Sequence, residues 1–207
     1  MHDDVVLIVF SRAPEPGKVK TRLIDAVGEQ QATDIYKQLL ANTIKAAVSS
    51  AFSQVELCIA GDVEHPFIKS ISEEYGFPVY AQQGDDLGMR MYHALAQALL
   101  RYSGAVLVGC DCAGLTEDDL NQAREALLER TEVVLGPSTD GGYYLVGMSQ
   151  PYQELFTDMP WGSETVLQET LARIKQQGLG TTLIAEHTDI DFPEDLGQLS
   201  TNEAGKN

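Results

Sequence analysis

Ala105-Val106-Leu107-Val108-Gly109-Cys110-Asp111-Cys112-Ala113-Gly114-Leu115-Thr116-Glu117-Asp118-Asp119-Leu120 is the stretch that decides the fold of this 207-residue chain. Its first five residues are apolar, include two β-branched valines, and make too short a run for a helix. Such a run reads as a strand buried on both faces, as at the centre of a parallel sheet. Cys110 and Asp111 end it, and Gly114 turns the chain. Thr116, with Asp119 three residues on, has the pattern of an N-cap and its reciprocal partner, so a helix is expected from Glu117. A carboxylate at the carboxyl end of a central strand stands at the crevice where α/β sheets take ligands. Asp111 is therefore a candidate to hold a divalent metal, Mg²⁺ or Mn²⁺, against phosphate oxygens.

Outward from this strand, Val5–Phe10 (VVLIVF) is a second continuous apolar run and a second buried strand. The loop after it, Ser11–Leu23, holds two prolines and a glycine, which exclude helix and strand. It also carries Arg12, Lys18, Lys20 and Arg22, four of only 14 Lys and Arg in the chain. The P-loop spacing is absent, yet such a loop can clamp a di- or triphosphate by charge-assisted hydrogen bonds. Gly88 and Arg90 open the helix that starts near Leu87, where a helix amino terminus favours anions.

Elsewhere the apolar spacing predicts helices over 28–48, 65–75, 117–130 and 164–177, and strands over 55–60, 77–81, 132–136 and 181–185. Gly136–Gly147 (GPSTDGGYYLVG) contains a strong turn, Asp140-Gly141-Gly142, followed by the second arm of a hairpin. A Gly-Gly pair permits close approach of a ligand, with Asp140 beside it. Trp161, the only tryptophan, sits in a loop and suits either a packing plug or a platform for a sugar or base. In Asp189-Ile190-Asp191-Phe192-Pro193-Glu194-Asp195-Leu196, two aspartates are candidates for a second metal contact.

Composition narrows the function. With 43% hydrophobic and 22% charged residues the chain is ordinary for a soluble protein, and its length suits one domain over 1–207, with a frayed tail at 201–207. The formal net charge of −17 argues against a nucleic-acid partner, while the local cluster of cations points to a small anionic ligand. No apolar run reaches membrane-spanning length, and the start lacks a basic leader, so no membrane partner is expected. Three cysteines fit a reducing cytoplasm rather than a disulfide framework, and Cys110-x-Cys112 lacks the further ligands of a zinc site.

Five segments taken together, FSRAPEPGKVKTRL, GDDLGMRM, VLVGCDCAGL, GPSTDGGYYLVG and DIDFPEDL, resemble a bacterial family of glycosyltransferase-like proteins, some linked to arsenosugar biosynthesis. That family has the GT-A, or nucleotide-diphospho-sugar transferase, fold. KTRL, DGG and DIDFPEDL are also similar to 2-phospholactate guanylyltransferases and, more distantly, to molybdenum-cofactor guanylyltransferases. The resemblance implies an α/β fold with a mostly parallel central sheet, helices on both faces and a Gly-rich hairpin near the site. It departs from the glycosyltransferase pattern at Asp111-Cys112-Ala113, where Asp-x-Asp is common; the nucleotidyltransferase relatives then imply Asp191 as the partner carboxylate.

The function implied is a metal-dependent transferase with a nucleotide-activated donor, most readily glycosyl transfer from a nucleotide sugar to a small-molecule acceptor. Asp111 and Asp191 would hold Mg²⁺ or Mn²⁺ on the diphosphate. Arg12, Lys18, Lys20, Arg22, Gly88 and Arg90 would bind the nucleotide, Lys20 also stabilising charge as the bond breaks. Gly141, Gly142 and Trp161 would meet the acceptor, and Asp140 would orient or deprotonate its hydroxyl. The alternative is nucleotidyl transfer from a nucleoside triphosphate to a phosphorylated small molecule; a third reading is a nucleotide-binding module without catalysis. The oligomeric state is not legible from the sequence.

Overall fold

The computed structural model describes residues 4–198; the tail over 201–207 lies outside that range. The described residues form seven strands and six α-helices, mostly in alternation, with β5 and β6 consecutive. The strands are β1 (Val5–Arg12), β2 (Gln54–Ala60), β3 (Val79–Ala81), β4 (Gly104–Gly109), β5 (Val133–Pro137), β6 (Tyr143–Met148) and β7 (Thr181–Leu183). The helices are α1 (Ile24–Val27), α2 (Glu29–Ser49), α3 (Pro66–Tyr75), α4 (Leu87–Leu99), α5 (Glu117–Leu128) and α6 (Val166–Gln176). The strands form one sheet in the order β3-β2-β1-β4-β6-β5-β7. All pairs are parallel except those of β6, which runs antiparallel to both β4 and β5.

The continuous apolar runs have a direct cause. β1 and β4 lie side by side inside the sheet, Val5 opposite Gly104 and Phe10 opposite Gly109, so both faces of each strand are covered. Val5, Leu7, Val9, Val106 and Val108 face a layer built from α2, α3 and α5, among them Tyr36, Leu40, Ile68 and Leu120. Val6, Ile8, Ala105 and Leu107 face the opposite layer, with Met91 and Leu95 of α4 and Ile174 of α6. Fully burying a side chain of this size contributes about 1.5–3 kcal/mol, which makes the two central strands the anchor of the fold.

Helix starts follow the local chemistry. Thr116 and Asp119 form the expected capping box: the Asp119 backbone N–H donates to Thr116 Oγ1 at 3.3 Å, and Thr116 N donates to Asp119 Oδ2 at 2.9 Å. Asp86 caps α4 by accepting from Met89 N at 2.8 Å. His65 is a cap residue, its Nδ1 accepting from Phe67 N, with Pro66 in the first turn. The structure differs from the sequence pattern mainly at element ends, for example α5 closing at Leu128 rather than near Arg130.

The hairpin is present, but its second arm does more than return the chain. β6 inserts between β4 and β5, so Tyr144 and Leu145 enter the core beside the central strand. The turn at 138–142 is thereby held at the same sheet end as Asp111. A third small cluster packs beneath this end: Leu23, Ala32, Ile35, Leu39, Ala113 and Ile190.

Candidate functional site

Because β1 and β4 are parallel neighbours, their carboxyl ends emerge together. The cationic loop follows β1 and Asp111 follows β4, and both border a cavity of about 420 Å³. Tyr36 of α2 ties the two strand ends. Its hydroxyl accepts from Arg12 N at 2.7 Å and from the Cys110 thiol at 3.2 Å. Leu23, fully buried, anchors the far end of the loop.

Lys20 is the centre of the loop. Its backbone is left-handed, with φ 46°, and its side chain is only 3% exposed. The ammonium is paired with Asp111 Oδ1 and with Asp191 Oδ1, the latter at 3.0 Å. Burial alone pulls the Lys20 pKa down, but the two carboxylates outweigh it and leave the ammonium above its ordinary value. Arg22 donates from Nη1 to Asp191 Oδ2 at 3.0 Å and stacks over Phe192, with its side chain 60% exposed.

Asp191 arrives from 80 residues beyond Asp111 by a defined route. Ile190 is fully buried, and its N–H donates to the Asp111 carbonyl at 2.9 Å. Asp195 then accepts from the backbone N–H groups of Asp191 and Phe192, at 3.0 and 2.7 Å. His187 locks the same segment from behind: its Nε2–H donates to Asp119 Oδ2 at 2.9 Å, and its ring packs on Tyr144.

The other nucleotide-side residues divide. Arg12, Lys18 and Arg90 border the cavity, Lys18 paired with Glu15 at 2.6 Å and Arg90 donating from Nε to the Gly84 carbonyl at 3.1 Å. Gly88 does not border it. A Cβ there would run into the Trp161 indole and would lie 2.7 Å from the Phe156 carbonyl, so this glycine exists to admit Trp161.

A second cavity, about 170 Å³, adjoins the first at Leu87, which borders both. Asp140, Gly142 and Trp161 border it, together with Asp189. Asp140 Oδ1 accepts from Gly142 N at 2.8 Å, closing a tight turn. Gly141 has φ 88° and abuts the Glu164 backbone, while its carbonyl accepts from Leu167 N at 2.9 Å. The Cβ side of Gly141 is thus taken by the protein's own chain. Trp161 stacks on Phe156 and meets Tyr143 edge-on, as a packing plug does.

Asp189 was legible only as one of two aspartates in a turn. Ser138 Oγ donates to its Oδ2 at 3.2 Å, and its Oδ1 has no partner among the described residues. Burial first, then the charges of Asp111 and Asp140, push its carboxyl up to about 7. Tyr36, Gln82 and His187 gave no usable signal in the sequence. Gln82 donates from Nε2 to the carbonyls of Ser11 and Cys58, which sets the wall of the first cavity.

Asp111 and Asp191 offer hard oxygen donors of the kind Mg²⁺ and Mn²⁺ take, and both already share one cation, so the pair fits a divalent ion. Among the described residues no group of three or more His, Cys, Asp or Glu gathers as a complete metal centre. Further ligands would come from water or from the substrate.

Comparison with known proteins places this geometry. The chain matches a crystal structure of a candidate nucleotide-diphospho-sugar transferase from Desulfovibrio desulfuricans G20 with a TM-score of 0.88 and 29% identity. The match covers 100% of this chain and 90% of that one. A Mycobacterium tuberculosis H37Rv protein solved with manganese matches at TM-score 0.60 and 16% identity, over 95% of this chain and 97% of that one. The inositol-1-phosphate CTP transferase from T. maritima matches at TM-score 0.60 and 11% identity, over 99% and 98%. At such identities the last two establish the shared fold alone. No curated protein matches significantly. The fold is GT-A-like, of the nucleotide-diphospho-sugar and nucleotidyltransferase superfamily, and the chain is glycosyltransferase-like in architecture. No described helix is long and apolar enough to cross a membrane. Residues 43–163, more than half of the chain, match one family profile, so the protein belongs to the family described as "Uncharacterized protein conserved in bacteria (DUF2064)".

Proposed function

We propose that this protein is an enzyme, one domain over its length, that transfers a glycosyl group from a nucleotide-diphospho-sugar to a small-molecule acceptor. The observation that carries the reading is the meeting of Lys20, Arg22, Asp111 and Asp191 at the ends of β1 and β4, in a cavity that adjoins a second one bordered by Asp140 and Trp161. Two neighbouring cavities of different character, both bordered by Leu87, suit a donor and an acceptor.

On the donor side, Arg12, Lys18, Lys20, Arg22 and Arg90 bind the anionic diphosphate. A divalent ion, Mg²⁺ or Mn²⁺, held by Asp111 and Asp191, supplies charge stabilisation to the leaving nucleotide when bound. Lys20, placed by the loop rather than by a flexible surface rotamer, contributes a fixed positive charge where negative charge accumulates. On the acceptor side, Asp140 accepts the proton of the attacking hydroxyl, and Trp161 and Gly142 shape the space around it. Trp161 also keeps water from the junction by packing against Gly88 and Phe156.

One observation favours the second reading, nucleotidyl transfer from a nucleoside triphosphate to a phosphorylated acceptor. The partner of Asp111 comes from a distant segment, while the position two residues on is Ala113. A phosphate nucleophile would need no base, leaving Asp140 without that task. The test is a screen of nucleotide sugars and nucleoside triphosphates by thermal shift and turnover, with and without Mg²⁺ or Mn²⁺. Stabilisation and turnover by a nucleotide sugar without pyrophosphate release supports glycosyl transfer. Pyrophosphate release from a triphosphate with a phosphorylated acceptor overturns it in favour of nucleotidyl transfer. Binding without turnover across broad acceptors leaves a nucleotide-binding module.

A further inference from the structure

In the protein itself the ammonium expected to meet a phosphate is already bound, and to the same two carboxylates expected to hold the metal. We propose that Lys20 fills the cation position of this site in the free protein, so that a divalent ion enters only as its complex with a polyphosphate, which takes Lys20 in exchange. The inference rests on the reading of Asp111 and Asp191 as the metal-holding pair.

Three features support it. First, Lys20 is aimed by its backbone. A non-glycine residue at φ 46° is held in a conformation that L-residues avoid, between the turn at 15–18 and the buried Leu23. Second, the Lys20 side chain is only 3% exposed, so its ammonium depends on the two carboxylates rather than on water. A metal arriving alone would leave a buried ammonium without a counter-ion, the costly way to break a buried pair. Third, within the ion-paired cluster itself two cations, Lys20 and Arg22, already face two carboxylates, Asp111 and Asp191, so a bare dication brings two charges that this cluster does not compensate.

A polyphosphate reverses each of these costs. Its oxygens accept the Lys20 ammonium, its negative charge offsets the dication, and it brings the metal the ligands that two carboxylates alone cannot complete. Lys20 would thus pass from carboxylate to phosphate as the metal passes from solvent to carboxylate. The site would ignore free metal and respond to metal and nucleotide together.

The experiment measures Mn²⁺ binding to the full chain by electron paramagnetic resonance and water-proton relaxation, with Mn²⁺ alone and with Mn²⁺–tripolyphosphate. It compares the parent, Lys20→Met, and Lys20→Met combined with Asp111→Asn, with Lys20→Gln as a second charge-free variant should the methionine variant fail to fold. The parent is expected to bind Mn²⁺ alone at least tenfold more weakly than the tripolyphosphate complex, a comparison that needs no variant. Lys20→Met should gain at least tenfold for Mn²⁺ alone, and Asp111→Asn should remove the gain. Equal binding of Mn²⁺ alone by parent and Lys20→Met, abolished by Asp111→Asn, overturns the exchange while leaving the metal pair intact. No protein-bound Mn²⁺ in any variant, alone or with tripolyphosphate, overturns the metal pair and the exchange with it.

Discussion

On one side of Leu87 the carboxylates Asp111 and Asp191 are both held by cations, Lys20 from the interior and Arg22 from the surface. On the other side, Asp189 Oδ1 and Trp161 Nε1 are buried without a partner among the described residues. In the first cavity both carboxylates are paired with cations that a charged ligand must displace, and Ser11 Oγ on its wall is the one buried polar atom there without a partner among the described residues. The second leaves buried polar groups unmatched, an arrangement that costs stability until something hydrogen-bonds to them. The contrast teaches that charge pairing, more than cavity size, separates the proposed donor side from the proposed acceptor side.

The largest expected effect lies on the acceptor side. Asp140→Asn preserves the turn, because an asparagine oxygen accepts from Gly142 N as the carboxylate does. Turnover with a verified donor and acceptor should fall by ~10²–10⁴-fold while donor and metal affinity stay at parent values. Parent-like turnover would reduce Asp140 to scaffold and erase the functional half of the contrast.

Next is the hairpin's lock on the segment that carries Trp161. Gly141→Ala adds a Cβ at φ 88° against the Glu164 backbone. Overpacking and the left-handed backbone together should cost about 3 kcal/mol in denaturant unfolding. A loss below about 1 kcal/mol would mean that the two segments yield independently.

The pH dependence of stability sharpens the comparison further. The Asp189 carboxyl is raised in the folded protein from 3.8 to about 7, so between those values the folded state keeps a proton that the unfolded chain releases. The contribution is fully present below about pH 4 and is lost as pH rises through 7, with a slope of up to about 1.4 kcal/mol per pH unit. Thermal melts of the metal-free protein should show this decline, and Asp189→Asn should flatten it. An unchanged slope in Asp189→Asn would place the proton elsewhere.

The smallest effect separates buried from exposed cations within the donor cavity. Lys20→Ala should weaken nucleotide binding by about 1.5–3 kcal/mol, and exposed Arg22→Ala by about 1 kcal/mol, with nucleoside binding unchanged in both. Isothermal titration that returned equal losses for the two would remove burial as the deciding variable.

Much of this was legible without coordinates, and particular residues show why. VVLIVF and AVLVG could only be strands covered on both faces, because nothing else buries consecutive apolar residues in so short a span. Thr116 and Asp119 announced a helix start because a capping box is made within four residues. The scarcity of cations made Arg12, Lys18, Lys20 and Arg22 conspicuous, and Asp111 followed from where a central strand must end. Gly88 and Gly141 show what was not legible: a glycine gives no sign of what packs beside it, and only the structure shows Trp161 and Glu164 there.

The sequence by itself therefore determined what depends on neighbours along the chain: strand and helix identity, caps, turns, and a cationic loop facing a strand-end aspartate. The tertiary structure decided what depends on partners far apart in sequence. It inserted β6 between β4 and β5, set Ile190 against the Asp111 carbonyl, and so brought Asp191 to Lys20 across 171 residues. The physical reason is that local patterns arise from backbone geometry repeated every two or 3.6 residues, whereas an ion pair between distant segments forms only after the sheet has fixed the ends that carry them.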